Sequence, residues 1–118
     1  MCTRLRTALR SLADDGVVED PVGPSGFDPE GKGHRGRDEI SAFWDKAIAP
    51  TDNLTFNFVD TYQCGNEEAN IGSIVTTMGG HRITTPGVFT YRANEAGQLV
   101  ALRAYWEVDR ASAEKIES

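Results

Sequence analysis

The half of the chain after Asn53 constrains the fold most. Apolar and polar residues alternate there in four runs, separated by three short Gly- or Asn-containing turns. Leu54, Phe56 and Phe58 alternate with Thr55 and Asn57, which predicts a strand over 54–63. Gly65-Asn66 marks a turn, Ala69 to Met78 a second strand, and Gly79-Gly80 another turn. His81 to Arg92 reads as a third strand, Asn94-Glu95-Ala96-Gly97 as a hairpin turn, and Leu99 to Val108 as the last strand. Connections this short admit no crossover helix, so these strands are expected to form an antiparallel meander.

The first half reads differently. Leu5, Ala8, Leu9 and Leu12 recur at helical spacing within Thr3 to Asp15, with Arg4, Arg6 and Arg10 on the opposite side, and Gly16 is placed to end that helix. Val17 to Asp20 reads as a short strand closed by Pro21. Residues 21–36 hold Pro21, Pro24 and Pro29 among five glycines and read as a long loop. A second helix is expected from Asp38, where Ile40, Phe43, Trp44, Ala47 and Ile48 share one face until Pro50 stops the pattern. The tail, 109–118, is charged and reads as frayed or weakly helical. Helices followed by strands make an α+β chain with the helices on one side of the sheet. A curved sheet would enclose a pocket between the two layers.

The chain of 118 residues is expected to form a single domain, 1–118. Its net charge of −6 leaves no basic face to displace counterions from nucleic acid, and no apolar run is long enough to cross a bilayer. The N-terminal residues lack the apolar core of a signal peptide. Cys2 and Cys64 lie far apart in sequence, with no Cys/His spacing suited to a metal, so two unpaired thiols in a reducing compartment, the cytoplasm, are expected. His34 and His81 read as solvated. Gly31-Lys32-Gly33-His34-Arg35-Gly36 lacks the Lys-Ser/Thr ending of a phosphate loop.

The clearest chemistry lies in Val17-Val18-Glu19-Asp20-Pro21-Val22-Gly23. Side chains alternate along a strand, which puts Val18, Asp20 and Val22 on one face. A carboxylate among β-branched apolar residues is desolvated, which raises its pKa and makes it a stronger base once ionised. The ordinary alternative is an exposed, inert turn aspartate before proline.

The same segment resembles the general-base motif of the ketosteroid isomerases. Gly36-Arg37-Asp38-Glu39-Ile40-Ser41-Ala42-Phe43-Trp44 is similar to that family's G-x-x-x-I-x-x-F-[YW] helix. Gly87-Val88-Phe89-Thr90-Tyr91 and Gly97 to Trp106 resemble its last two strands, so the likeness runs over about residues 8–109. The chain is similar to the SnoaL-like branch of the nuclear transport factor 2-like superfamily. That resemblance implies a cystatin-like cone, with helices on a strongly bent antiparallel sheet around an apolar pocket. It also implies cofactor-free and metal-free proton transfer beside the carbonyl of a hydrophobic, steroid-like ketone, with Asp20 as base. The alternative is non-catalytic binding of a steroid-like or polyketide-like ligand. Val18, Val22, Trp44 and Trp106 are expected to touch the ligand, together with Ile74, Met78, Gly87 and Tyr91. Arg103 and Tyr105 alternate with the core residues of the last strand, and their face is expected to make a homodimer contact.

Two parts of the family pattern are missing. The tyrosine of its oxyanion hole should precede Asp20 by more residues than the sequence holds, so the first family helix is expected to be absent or shortened. The late aspartate should fall near Gly87, which has no side-chain donor. Trp44, Tyr91 and Trp106 could each offer one hydrogen bond in its place.

Overall fold

A computed structural model describes residues 12–116. The elements in chain order are β1 (Leu12–Glu19), β2 (His34–Arg35), α1 (Gly36–Ala47), β3 (Asn53–Cys64), β4 (Glu67–Met78), β5 (His81–Ala93), β6 (Leu99–Tyr105), a single 3-10 turn (Val108–Arg110) and β7 (Ser112–Lys115). The strands form one sheet in the order β2-β1-β6-β5-β4-β3, and β7 pairs with β5 off this path. The fold is α+β, with a mixed sheet.

The second half follows the sequence pattern closely. The β3–β4, β4–β5 and β5–β6 pairs are all antiparallel. Phe56 pairs with Ile74, and Phe89 pairs with both Asn70 and Ala104. Cross-strand partners share a face, so one side of the sheet carries Leu54, Phe56, Phe89, Leu102 and Ala104, all buried. The helix α1 lays Ile40 and Phe43 onto this side, and they join Leu12, Val18, Leu54, Phe56, Leu99 and Leu102 in one core.

Four expectations are corrected. Leu12 to Asp15 belong to β1 and not to a helix, and Gly16 lies within that strand; the rest of the expected first helix lies outside the described residues. The reason is a break in register. Leu12 pairs with Leu99 but Val17 pairs with Ala101, so β1 carries three more residues than β6 over this stretch. Leu12 and Ala13 are both buried and Asp14 and Asp15 both exposed, which erases the alternation that marks a strand. Second, β1 runs parallel to β6, so the sheet is not a pure antiparallel meander. Third, the long loop contains β2, which pairs antiparallel with β1. Fourth, the last long strand ends at Tyr105 and the tail up to Lys115 forms the 3-10 turn and β7, whose Ser112–Lys115 pair with His81–Thr84; residues 117–118 lie outside the described part.

Helix α1 matches its predicted face. Arg35 is its N-cap without a side-chain cap bond, and Glu39 Oε1 accepts from the Arg35 amide at 3.0 Å. Asp38 and Glu39 in the first turn and Lys46 in the last oppose the ends of the helix dipole. Arg37 ties the helix start to β1 by donating to Asp14 at 2.7 Å and to the Leu12 carbonyl at 3.0 Å. Among the described residues no helix is long and apolar enough to cross a membrane.

Candidate functional site

Asp20 follows β1 directly. The parallel pairing of Val18 with Leu102 and Glu19 with Arg103 sets its direction. The pairing continues past Pro21, where the Val22 amide donates to the Ala104 carbonyl at 2.9 Å. Glu19 turns to the outer face and accepts from Arg103 Nε at 2.6 Å. Asp20, one residue on, turns to the inner face with Val18. The alternation read from the sequence therefore holds at this point.

The Asp20 carboxyl lies on the wall of a cavity of about 20 Å³, lined also by Val18, Ile40, Phe43, Trp44, Ile48 and Leu102. Every other lining side chain is apolar or aromatic. Asp20 is half-buried as a residue, and its carboxyl is desolvated by the surrounding apolar groups. Desolvation raises its pKa above the ordinary 3.8; a hydrogen bond from Trp106 and the charge of His34 pull it partly back. Trp106 Nε1 donates to Asp20 Oδ1 at 2.5 Å. An indole carries one donor, so the Trp106 N–H is committed to the Asp20 carboxyl and cannot also polarise a carbonyl. Among the described residues the indole N–H of Trp44 has no such partner.

Trp106 also faces a larger, open cleft of about 610 Å³, whose lining includes Val22, Gly72 and Gly87 and, from the other face of the sheet, Ile71, Val88 and Tyr105. The cavity at Asp20 has room for about one water, whereas drug-sized ligands occupy about 300–1,000 Å³. The cleft has that capacity, as does a second open cleft of about 390 Å³ lined by Leu12, Arg37, Asp38, Ile40, Ser41 and Trp44; Trp106 lines the first cleft and reaches the Asp20 carboxyl through its indole N–H.

The expected ligand residues separate accordingly. Val18 and Trp44 line the cavity with Asp20, and Val22, Gly87 and Trp106 line the cleft. Ile74 and Tyr91 pack against the hydrophobic core and line neither space, and Met78 lies at the exposed end of β4. Gly87 stands opposite Gly72 on the neighbouring strand. A Cβ at Gly87 would overlap the Tyr105 carbonyl oxygen, and one at Gly72 would overlap the Asn57 carbonyl oxygen. These glycines permit a close approach of backbones that no side chain would allow.

Sequence reasoning missed His34 and the cavity role of Ile40, Phe43, Ile48 and Leu102. The helical residues carried a signal in their spacing, but it could equally mark plain core. His34 carried none. It sits in a glycine-rich run that reads as loop, yet β2 sets it opposite Val18, and its ring stacks on Phe43 with centroids 4.5 Å apart.

The family model described as a SnoaL-like domain matches residues 3–102. The chain belongs to that family. Within the nuclear transport factor 2-like superfamily, Rv0760c from Mycobacterium tuberculosis is 35% identical to this SnoaL-like domain, with a TM-score of 0.85 over 96% of this chain and 88% of that one. The Delta 5-3-ketosteroid isomerase from Mycobacterium sp. is 38% identical, with a TM-score of 0.83 over 90% of this chain and 82% of that one. A computationally designed 17-OHP binder is 34% identical, with a TM-score of 0.82 over 96% and 88%. Rv0760c has also been solved in complex with estradiol-17beta-hemisuccinate. No curated protein matches the chain.

Proposed function

We propose that this SnoaL-like domain binds a steroid-like ketone and isomerises it by cofactor-free proton transfer, with Asp20 as the general base. The single observation that carries the reading is the buried Asp20 carboxyl, set in an apolar wall and hydrogen-bonded by Trp106. A carboxylate so placed is a stronger base than one in water, and the C–H bond beside a ketone needs such a base. Asp20 takes the proton from the carbon next to the carbonyl, and the electron pair moves into the carbonyl to give a dienolate. The same carboxyl then returns the proton further along the conjugated system, so no net proton is consumed. The ligand lies along the cleft lined by Val22, Gly87 and Trp106, at the sheet end where Asp20 stands, and reaches Asp20 by displacing the Trp106 ring. Trp44 is the donor proposed for the developing oxyanion. The relatives that support the substrate class are the mycobacterial isomerase, the estradiol-hemisuccinate complex and the 17-OHP binder, at 34–38% identity.

The test is conversion of a β,γ-unsaturated 3-ketosteroid to its conjugated isomer, followed by enone absorbance, with Asp20→Asn beside wild type. Loss of a positioned base is expected to cost about 10²–10⁴-fold. Absence of wild-type turnover at any enzyme concentration would sink the isomerase reading for that substrate.

One observation favours binding without catalysis. Gly87 stands where the family pattern has an acidic donor, and each missing oxyanion donor typically costs about 10²–10³-fold in rate. Saturable quenching of Trp44 and Trp106 fluorescence by steroid, without turnover, would select this reading.

We also propose a homodimer through the outer sheet face. Tyr105, Val88 and Ile71 stand in register across β6, β5 and β4, and they are 43%, 37% and 39% exposed. Arg103 flanks them, held by Glu19 and donating to the Tyr105 hydroxyl at 3.4 Å. Aromatic residues and arginine are enriched in interfaces of this kind. Sedimentation of wild type beside Ile71→Asp tests it: a wild-type monomer at high concentration refutes the dimer.

A further inference from the structure

We propose that His34 is a positioning residue for Asp20: its ring, held at the cavity wall by β2 and Phe43, puts a basic group beside the buried carboxyl and favours its ionised form. Three observations place it there. His34 pairs with Val18 across β1 and β2, two residues before Asp20 on the same face of the strand. Its ring stacks on Phe43 at 4.5 Å and 27°, and Phe27 packs edge-on to the same Phe43 ring at 6.0 Å. Val18 and Phe43 both line the cavity that Asp20 enters. His34 thus shares two wall residues with the carboxyl.

The backbone around His34 is clamped on both sides. Before it, the Gly33 amide donates to Asp28 Oδ2 at 2.7 Å and the Lys32 amide to Asp28 Oδ1 at 3.3 Å. After it, the Arg35 amide donates to Glu39. Gly33 has φ +81, and a Cβ there would press on Glu19 Cγ at 2.9 Å. The loop is therefore seated tightly against β1, and the ring has a defined place.

The charged neighbours from β1 are Glu19, turned outward to Arg103, and Asp14, which is bound to Arg37 of α1. From the loop come Asp28, occupied by two amides, and Lys32, paired with Glu30 at 2.9 Å. From α1 comes Glu39; Arg35, next to His34, donates through Nε to the Lys32 carbonyl. Asp20 is the one carboxyl of this set that is buried in the apolar cavity and lacks a basic ion-pair partner, so a charge on His34 matters most to it. The positive charge of His34 favours the ionised Asp20, in opposition to desolvation.

This inference deepens the isomerase reading, in which an ionised Asp20 is the base, but its test uses no substrate. The carboxyl carbon of Asp20, assigned by its loss in Asp20→Asn, is followed by NMR through an acid titration in wild type, His34→Phe and His34→Lys. His34→Phe keeps a ring on Phe43 and removes the charge; His34→Lys keeps a charge and removes the ring. The expected result is an upward shift of the Asp20 midpoint in His34→Phe and none, or a smaller one, in His34→Lys. An unchanged midpoint in His34→Phe, or equal shifts in both variants, would overturn the proposal and leave His34 as packing. If His34→Phe does not fold, His34→Gln replaces it under the same criteria. Failure of turnover leaves this titration intact, so the two readings fall separately.

Discussion

Trp106 and Asp20 meet through a 2.5 Å hydrogen bond although they lie 86 residues apart, because the parallel pairing of β1 with β6 brings the ends of both strands together. The indole gives its only N–H to the carboxylate, so Trp106 acts on Asp20 and leaves the polarising of any carbonyl to another group. Trp106→Phe removes the donor and keeps most of the apolar ring. Its expected effect is a further rise of the Asp20 pKa, since the bond that stabilised the ionised form is gone. In pH–rate profiles the acid limb should move to higher pH in Trp106→Phe. An unmoved limb would show that the bond does not bear on the base.

The buried carboxyl should also cost stability at neutral pH. Desolvation raises the folded-state pKa of Asp20 above its unfolded value near 3.8. A group raised in this way stabilises the fold fully only below the unfolded pKa, and that contribution is lost as pH rises through the folded pKa. Asp20→Asn carries no charge and can still accept from Trp106. Its melting temperature should exceed that of wild type at pH 7, with the gap closing on acidification towards pH 3–4. A constant gap across that range would contradict the linkage.

Gly87 offers a test of the close strand approach. Any Cβ there meets the Tyr105 carbonyl oxygen, part of the backbone that leads to Trp106. Gly87→Ala should destabilise by about 1–3 kcal/mol, as expected of overpacking, measured by urea denaturation. Gly87→Asp, the substitution that would restore the family's donor, should be destabilised at least as much. A fully stable Gly87→Asp with raised isomerase activity would show that the strand yields more easily than its geometry suggests.

Asn70 is fully buried on the inner face, where it accepts from the Thr61 hydroxyl at 2.7 Å and donates to the Phe89 carbonyl at 3.2 Å. These bonds join β3 and β5 through β4, close to the register shift between Phe58 and Asp60. Asn70→Ala takes both bonds away, one of them from the carbonyl of buried Phe89, and should cost about 1–3 kcal/mol. Thr61→Val, paired with it in a double-mutant cycle, should show non-additive losses.

The sequence alone determined the meander and the helix. In β3 to β6 each strand repeats at period two and ends at a turn residue, so local backbone chemistry and burial agree, and the turns at Gly65, Gly79 and Gly97 fall at positive φ as their glycines allow. It also determined the face of Asp20, because Val18, Glu19 and Asp20 alternate. The tertiary structure decided the rest. β1 looked helical because its register shift against β6 hides the alternation, and a bulge of that kind is set by the partner strand and not by the residues themselves. β7 looked like a charged tail, since all four of its residues are exposed and only the edge of β5 gives them a ladder. His34 looked like loop because its place depends on Val18 and Phe43, neither of which is its sequence neighbour. A carboxyl is buried only when distant residues close around it, and here Phe43 of α1, Leu102 of β6 and Trp106 just past β6 do so.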